Sequence, residues 1–478
     1  ELGVTVASGL AVAREHSTVA MNGTAADRRN FYAPIVSVLG RGALFNTSWR
    51  LLNVSLNWRA PDISFRSCIL FFGTSWVDGL SAQLDFLRVT SATWFYHYGP
   101  VVFRSPAANI DIVVRGATTE VQMTLRFHVD YIYIVTFMSG VQQCTLSLTD
   151  VAITATAGSP FIFSVLKDVP SGSAASAYAS RAVKMLVDNC SFVQPEAYRN
   201  QGMILTMVQF DGGGGQSDLL IRNSRVYQPN VVWSELGAMN NVSGLLWTWR
   251  DNHFCVHAEQ RVLLSGFGPV ASTTIIMENN TFACDVGSST SGALIGSCFD
   301  FKAAVVNLTL ICPRQATWQF GEQWTLTFLT FAQLATSLHL DVDIADYKFA
   351  LRFGGDLLRF SQGLVSSRIQ LRRGLGMFMT SLTIERGSVI DSTVVVDASD
   401  TRWGTDRPAY VGALGCLMFG SGVNVVGSFI ARYNLTAYDA TRVLTFDNVT
   451  ISEGSTVVAA HTTVHCRFQC AFATLAAG

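Results

Sequence analysis

The chain has 478 residues, a formal net charge of −1 at pH 7 and only 14% charged residues, against about 25% in a typical soluble protein. This balance offers no basic surface for nucleic acid or for an anionic membrane. Hydrophobic residues make up 49% of the chain, yet no run of about 18 apolar residues without polar interruption predicts a transmembrane segment.

Residues 1–50 are predicted to form an N-terminal segment or cap of less regular structure. They begin with ELGVTVASGL, which lacks a starting methionine and a basic stretch before the apolar residues. This favours a mature or excerpted chain that has lost a signal peptide. Residues 51–400 are predicted to form the repetitive body. Residues 401–478 are predicted to form further repeats or a cap, with continuation into a longer chain as one expectation.

A short pattern centred on asparagine recurs along the body. Each copy alternates apolar residues with others, then has Asn, and the Asn positions are 34, 29, 27 and 28 residues apart. A period of 20–50 residues is typical of a solenoid. The copies are MLVDNCSFVQPE (185–196), LLIRNSRVYQPN (219–230), TWRDNHFCVHAE (248–259), IIMENNTFACDV (275–286) and AAVVNLTLICPR (303–314), with Asn189, Asn223, Asn252, Asn279 and Asn307 in register.

The repeats predict an all-β fold, a parallel β-helix. Val, Ile, Leu, Phe and Thr alternate around each Asn, which is typical of strands. Such a coil must turn a corner between its strands, and Asn tolerates the left-handed backbone conformation better than any residue except Gly. We therefore expect one Asn corner per repeat, with the corners stacked on each other.

Nine asparagines lie in the acceptor pattern for N-linked sugar. This number, in a chain with so little charge, favours a secreted or cell-surface glycoprotein that sugar keeps soluble. Asn223 and Asn252 keep the repeat asparagine without the acceptor pattern. This favours corner geometry as the primary reason for the asparagines, with the acceptor pattern arising from it. The nine are Asn22, Asn46, Asn53, Asn189, Asn241, Asn279, Asn307, Asn434 and Asn448.

The ten cysteines form an even set, and an oxidising compartment would pair most of them. Cys284 and Cys312 each follow a repeat Asn by five residues, so stacking predicts a disulfide between adjacent repeats or a ladder of free thiols. Cys466 and Cys470 lie in HCRFQC near His461 and His465. This group predicts a local disulfide, with a zinc site as the alternative.

The strongest candidates for catalysis or metal binding are Asp341 and Asp343 in HLDVDIADY (339–347). On a strand they share a face with His339, where paired carboxylates could hold Ca²⁺ or act as acid and base. The simpler interpretation places them on a solvent-facing strand surface, with no cofactor. The adjacent arginines of LRRG (371–374) could meet a carboxylate. The tryptophans of WTWRDNHF (247–254) could stack on sugar but are more typical of a core.

The corners DNCSF, RNSRV, ENNTF and DNVTI resemble those of the right-handed β-helix of pectate-lyase-like proteins. The low charge and phrases such as SVIDSTVVVDASD (388–400) are similar to the dispersed gene family surface proteins of trypanosomes and related flagellates. This resemblance implies a right-handed coil over residues 45–460 and an adhesive glycoprotein. The Asn-Thr-Asp, Asp-Asp, Gly-His-Gly and Arg-x-Lys motifs of the β-helix hydrolases do not occur in that arrangement.

Two classes of function follow from these observations. The first is a non-catalytic extracellular structural or adhesive glycoprotein, a subunit of a surface layer or filament that associates with itself or with other extracellular proteins. The alternative is a carbohydrate-active β-helix enzyme or carbohydrate-binding module.

Overall fold

A computed structural model shows an all-β protein. It describes residues 11–15, 18–22, 36–39, 43–53, 55–59, 70–86, 88–91, 101–103, 105–121, 131–137, 140–155, 159–165, 181–193, 204–211, 216–282, 294–313, 317–320, 324–343, 347–349, 356–372, 380–397, 416–434, 436–438, 442–452, 454–465 and 471–476. These residues form no helix. The described part of the chain therefore holds no helix that could span a membrane. The chain divides into two compact units, Glu1–Ala258 and Glu259–Gly478.

The strands of the first unit, together with β23, which contains the boundary residue, are β1 (Ala11–Glu15), β2 (Thr18–Asn22), β3 (Val36–Leu39), β4 (Ala43–Leu52), β5 (Ser55–Arg59), β6 (Leu70–Gly73), β7 (Trp76–Asp85), β8 (Arg88–Ser91), β9 (Val101–Phe103), β10 (Ala107–Arg115), β11 (Thr118–Val121), β12 (Tyr131–Phe137), β13 (Val141–Thr149), β14 (Ala152–Ala155), β15 (Ser159–Val165), β16 (Arg181–Asp188), β17 (Ser191–Val193), β18 (Ile204–Asp211), β19 (Ser217–Arg222), β20 (Arg225–Asn240), β21 (Val242–Ser243), β22 (Leu245–Arg250) and β23 (His253–Gly266).

The strands of the second unit are β24 (Val270–Glu278), β25 (Thr281–Phe282), β26 (Leu294–Phe301), β27 (Val305–Cys312), β28 (Thr317–Phe320), β29 (Trp324–Phe331), β30 (Ala335–Thr336), β31 (His339–Asp343), β32 (Tyr347–Phe349), β33 (Asp356–Phe360), β34 (Gly363–Val365), β35 (Arg368–Arg372), β36 (Thr380–Ile384), β37 (Ser388–Ile390), β38 (Thr393–Asp397), β39 (Cys416–Phe419), β40 (Asn424–Val426), β41 (Phe429–Tyr433), β42 (Thr436–Tyr438), β43 (Arg442–Asp447), β44 (Thr450–Ile451), β45 (Thr456–Ala460), β46 (Thr463–His465) and β47 (Ala471–Ala476).

Strands in both units pair in parallel with their equivalents in the next repeat. In the first unit β4 pairs with β7, β7 with β10, β10 with β13 and β13 with β16. In the second unit β31 pairs with β35, β35 with β38 and β38 with β41. The sequence prediction of an all-β, parallel, repetitive fold is confirmed by these ladders. The repeat length varies, with equivalent residues separated by 39 positions between Asp150 and Asn189 but by 25 between Ser367 and Ser392.

Alternation of apolar and polar residues places the core on one side of each strand. In β10, Ile110, Ile112 and Val114 are buried, whereas Asn109 and Asp111 are exposed. The period of two arises because successive side chains of a strand point to opposite faces. The same alternation recurs in register from repeat to repeat. Buried side chains at equivalent positions of successive repeats therefore form continuous columns within each unit.

Aromatic rings form stacks within these buried columns. Phe72, Phe103 and Phe137 stack in the first unit with centroid distances of 4.9 and 4.6 Å. Phe301, Phe331 and Phe360 stack in the second unit at 5.1 and 5.0 Å, with ring planes only 8° apart. Parallel pairing in register brings equivalent side chains about 4.8 Å apart, which is the spacing that stacked rings require.

The tryptophans of WTWRDNHF belong to the core, as the simpler interpretation of the sequence predicts. Trp247 and Trp249 in β22 are 0% and 1% exposed, and their ring centroids lie 5.4 Å apart. These two rings are therefore not available to stack on a sugar. The aromatic run WFYHY (94–98) lies outside the described residues.

Candidate functional site at the left-handed corners

Each repeat turns at residues in the left-handed backbone conformation. In the first unit, one column of such residues contains Asn46, Gly79, Asn109 and Gln143, and we call it the first corner. A second column, the second corner, contains Asn53, Phe86, Gly116, Asp150, Asn189, Asn223 and Asp251. The second corner follows the first by seven residues, as from Asn46 to Asn53. The expectation of one corner per repeat is therefore wrong, because the chain turns at two stacked positions.

The same two columns exist in the second unit. Its first corner contains Ser272, Asn307, Ser337, Ser366, Asp391, Gly427 and Gly454. Asn279, Asn434 and His461 again follow this column by seven residues. Asn and Asp dominate both corners because a short polar side chain lowers the cost of positive φ.

All eight sequon asparagines whose side chains are described lie at positive φ and are exposed. Their φ angles fall between 47° and 57°, and each side chain is exposed. Asn241 and Asn448 lie outside the two columns but share this geometry. The eight are Asn46, Asn53, Asn189, Asn241, Asn279, Asn307, Asn434 and Asn448. The side chain of Asn22, at the end of β2, lies outside the described residues.

The amide groups of several corner asparagines contact the preceding repeat. The Nδ2 of Asn189 donates to Asp150 Oδ1 at 2.5 Å, and that of Asn434 donates to Asp397 Oδ1 at 3.0 Å. Asn223, which has no sequon, makes the same contact with Asp188 at 3.0 Å. An amide nitrogen carries two hydrogens, so each of these hydrogen bonds uses only one of them.

Asn252 is not a corner residue, which corrects its predicted alignment. Asp251 has φ of 53° and occupies the second corner, whereas Asn252 is only 2% exposed. Its Oδ1 accepts from the backbone N–H of Ser224 at 2.9 Å, and its Nδ2 donates to the carbonyl of Ile221 at 2.9 Å. Asn252 therefore satisfies backbone groups inside the fold, which a buried polar side chain must do.

The sequence pattern also misaligned Asn307. It is a corner residue as predicted, but it belongs to the other corner column. Thr273 pairs with Leu308, so Asn307 lies level with Ser272 in the first corner and not with Asn279 in the second. Ile276 pairs with Ile311, which brings Cys312 level with Met277. The stacking argument for Cys284 and Cys312 is therefore wrong, and so is their predicted disulfide, because the buried Cys312 is not disulfide-bonded.

A serine ladder follows the first corner in the second unit. The Oγ of Ser367 accepts from the backbone N–H of Leu338 at 2.9 Å, and Ser392 Oγ accepts from the N–H of Ser367 at 3.1 Å. Ser428 and Ser455 continue the series at 3.0 and 3.4 Å. A left-handed residue turns the next N–H away from the strand ladder, and the serine hydroxyl supplies the acceptor that a buried N–H needs. The sequence analysis missed this ladder, whose signal is the small polar residue after each corner.

The described cysteines fall into two kinds. Cys190, inside the sequon of Asn189, is a free and buried thiol, and burial raises its pKa to about 11. Burial likewise raises the pKa of the free thiol of Cys144. Cys255 is held in a disulfide bond. The side chains of Cys466 and Cys470 lie outside the described residues, so that disulfide stays a prediction.

The acidic strand HLDVD is engaged with the protein itself. His339 is exposed, Leu340 and Val342 are buried, and Asp343 is 6% exposed. The guanidinium of Arg372, in the LRRG motif, forms an ion pair with Asp341. Among the described residues no group of three or more His, Cys, Asp and Glu side chains is arranged to hold a metal. The carboxylate of Asp341 therefore faces a cation that the next repeat supplies.

Residues of opposite charge are neighbours at several places in the column directly before the second corner. Asp343 pairs in register with Arg372, which pairs with Asp397. In the first unit Asp188 pairs with Arg222, and their side chains lie 2.6 Å apart. Opposite charges on neighbouring strands stabilise a sheet. Asp343 belongs to this column, whereas Asp341 lies level with Gln370 and reaches the arginine of the column, Arg372, through its side chain.

Substitution of Asp188 by asparagine should reduce the dependence of stability on acid pH. The hydrogen bond from Arg222 holds the pKa of Asp188 below its ordinary value, although burial opposes the shift. A lowered pKa stabilises the fold above the unfolded-state pKa of about 3.9, and this stabilisation is lost as pH falls through the folded value. We expect Asp188→Asn to lose about 1 kcal/mol at neutral pH, and to lose less near pH 3. Urea unfolding at both pH values measures the difference.

The exposed Asp111 in β10 provides a matched control for this prediction. We expect Asp111→Asn to change the free energy of unfolding by no more than about 0.5 kcal/mol at neutral pH, which is usual for surface positions. An equal loss for Asp188→Asn at both pH values would contradict the assigned role of the carboxylate.

No protein-family model matches the chain, and no curated protein matches it.

Proposed function

We propose that the chain is a right-handed parallel β-helix that serves as a non-catalytic extracellular structural or adhesive glycoprotein, a subunit of a surface layer or filament. The resemblance to the dispersed gene family surface proteins belongs to this proposal. The observation that carries it is the placement of the sequon asparagines. All eight with described side chains are exposed at positive φ, six of them at the two corners, where a glycan can extend into solvent without disturbing the buried columns.

Two further features support an extracellular location. The chain carries only 14% charged residues, so attached sugar would supply the polar cover that its surface otherwise lacks. Cys255 is held in a disulfide, and disulfides persist mainly in oxidising compartments. The sequon asparagines also turn strands of the same parallel ladders, so their glycans would line the edges of the repeats.

The alternative of a carbohydrate-active enzyme has less support. Its best candidates were Asp341 and Asp343, but the first forms an ion pair with Arg372 and the second is buried. An acid and base pair needs carboxylates that reach the substrate. An assay of the purified chain for cleavage of acidic and neutral polysaccharides tests this alternative. We expect no release of reducing ends, and activity lost in Asp341→Asn would overturn the non-catalytic proposal.

An engineered sequon tests the corner proposal directly. Asn223 is an exposed second corner with the same kind of amide contact as the sequon residue Asn434, but its sequence Asn-Ser-Arg lacks the sequon. Arg225 is exposed, so Arg225→Thr creates Asn-Ser-Thr with little expected cost to the fold. We expect the secreted variant to gain one N-linked glycan at Asn223, detected as a glycosidase-sensitive mass increase.

Arg225→Ala is the matched control, since it removes the same side chain without creating a sequon. It should gain no glycan. Secretion of the wild-type chain without sugar at Asn189 and the other described sequons would contradict the proposed glycoprotein.

A further inference from the structure

An exposed phenylalanine occupies one of the left-handed corners. Phe86 belongs to the second corner of the first unit, with φ of 52°. At 57% it is also the most exposed large apolar side chain in the described part of the chain. A bulky residue at positive φ is an outlier, whereas Asn, Asp or Gly turns the chain there at lower cost. The ring of Phe86 is therefore the feature of this corner that needs an explanation.

The ring of Phe86 rests on a glycine of the next repeat. Gly116 is the next member of the second corner, with φ of 58°. A Cβ atom on Gly116 would lie only 2.8 Å from Cδ1 and 2.9 Å from Cε1 of Phe86, so any other residue there would displace the ring. One edge of the ring thus lies against the backbone of Gly116, and much of the remaining ring surface faces solvent.

A sequon asparagine lies on the other side of Phe86. Asn53, in the preceding repeat, is exposed at φ of 51° and begins the acceptor pattern Asn-Val-Ser of residues 53–55. Its backbone N–H donates to the carbonyl of Asp85 at 2.9 Å, so Asn53 and Phe86 occupy level positions. Neighbouring strands are about 4.8 Å apart. A sugar attached to Asn53 therefore begins one strand spacing from Phe86.

The chemistry of an N-linked sugar matches an exposed aromatic ring. The first sugar of such a glycan, N-acetylglucosamine, has C–H groups on the face of its ring and hydroxyl groups around the edge. The face of an aromatic ring is electron-rich and attracts the positive ends of C–H bonds. Covering exposed apolar surface is also favourable in proportion to its area. Stacking the sugar on the phenyl ring satisfies both surfaces and leaves the hydroxyl groups in water.

Other corners of the same column contain polar side chains instead. The neighbours of Asn189 in the second corner are Asp150 and Asn223, and the amide of Asn189 donates a hydrogen bond to Asp150. A phenyl ring has no group that could take part in such a bond. Phe86 therefore cannot replace the polar contacts of the column, and Asn189 provides a sequon without a neighbouring ring for comparison.

We propose that Phe86 binds the first N-acetylglucosamine of a glycan attached to Asn53, with the sugar stacked on the exposed surface of the phenyl ring. Asn53 is the attachment point, Phe86 is the binding surface, and Gly116 leaves the space in which the ring lies. The inference rests on the proposed glycoprotein and assigns a binding site for its sugar. The glycan at Asn53 would then be held against the corner, whereas the glycan at Asn189 would extend into solvent.

Nuclear magnetic resonance of the full-length chain, secreted with isotopically labelled sugar, tests this contact. Ser55→Ala removes the acceptor pattern and identifies the signals of the sugar at Asn53 as those that disappear. We expect the ring current to shift these signals upfield in the wild type, and Phe86→Leu to return them to ordinary values. The sugar at Asn189, identified with Ser191→Ala, should give the same signals with and without the ring. Unchanged signals of the Asn53 sugar in Phe86→Leu would overturn the inference.

A double-mutant cycle of Phe86→Asn and Ser55→Ala measures the strength of the contact. Phe86→Asn suits the corner and creates Asn-Leu-Arg, which is not a sequon. The relief of backbone strain and the loss of contact with Gly116 occur with and without the sugar, so the cycle cancels them. We expect the loss of the ring to lower the folding equilibrium constant about three- to tenfold more when the sugar is present, as for an aromatic pair.

The same cycle with Ser191→Ala in place of Ser55→Ala is the matched control, and it should show no coupling. Mass spectrometry of each secreted chain establishes whether Asn53 carries sugar. Sugar at Asn53 with no more coupling than the control would overturn this inference and leave the proposed glycoprotein standing. An Asn53 without sugar in a chain whose other exposed sequons are occupied would do the same. A chain without any sugar would overturn both proposals.

Discussion

Replacement of Phe331 by alanine is expected to lower the free energy of unfolding by about 3–5 kcal/mol, the range for removal of a buried Phe. Phe331 is 0% exposed and stacks between Phe301 and Phe360 at 5.1 and 5.0 Å. The substitution removes both ring contacts, each of which contributes about 0.5–1.5 kcal/mol beyond the area buried, and leaves a cavity in the column. Urea unfolding followed by circular dichroism measures the loss.

Two controls make this test specific to the stack. Phe331→Leu keeps much of the apolar volume, so we expect a loss of about 1.5 kcal/mol, typical of apolar replacements of similar size. Leu334→Ala changes an apolar residue in the same repeat that is 42% exposed, and it should stay within about 0.5 kcal/mol of wild type. Equal losses for Phe331→Ala and Phe331→Leu would contradict a specific contribution from stacked rings.

Replacement of Asn252 by leucine is expected to cost about 2–4 kcal/mol, even though leucine has a similar size. The change leaves the N–H of Ser224 without its acceptor and removes one donor from the carbonyl of Ile221, both inside the fold. Each unsatisfied buried group costs about 1–3 kcal/mol. Chemical denaturation of the full chain, with the unfolding of the first unit followed separately, measures this loss.

Asp251→Asn is the control because the neighbouring residue is the exposed corner. Asn tolerates positive φ at least as well as Asp, so the variant should differ from wild type by about 0.5 kcal/mol or less. If Asn252→Leu proved as stable as wild type, the hydrogen bonds across the repeats would not have the structural role assigned to them.

The sequence was sufficient to predict the parallel repeats and most of their corners. Asn189, Asn223 and Asn279 lie at the second corner as predicted, because the preference of Asn for positive φ is local and does not depend on the neighbouring repeat. The interpretation of Trp247 as a core residue was also correct. Alternation with polar residues identifies the buried face of a strand without knowledge of its partners.

Register between repeats could not be predicted with the same accuracy. The corner of this repeat was predicted one residue too late, at Asn252, because Asp251 is also suited to the left-handed conformation. Asn307 was placed in the wrong column because two corners, seven residues apart, both accept Asn. Repeats of unequal length remove the fixed period that would decide between such alternatives, so only pairing in three dimensions assigns the column.

Pairing between repeats also explains features that no single segment contains. The stack of Phe301, Phe331 and Phe360 depends on three segments that are separate in sequence. The ion pair of Asp341 with Arg372 joins the two motifs that the sequence analysis considered for chemistry. Their pairing with each other favours a structural role, since a carboxylate that binds an arginine of its own chain is less available to a ligand.

The occupancy of each sequon in the native protein tests the central claim most directly. Enzymatic removal of glycans in heavy-oxygen water, followed by peptide mass spectrometry, marks every asparagine that carried sugar. The account predicts labelled asparagine at the exposed corners, including Asn46, Asn189, Asn279 and Asn434, and none at the buried Asn252. Native protein with unlabelled corners would contradict the proposal that these asparagines are glycan attachment sites.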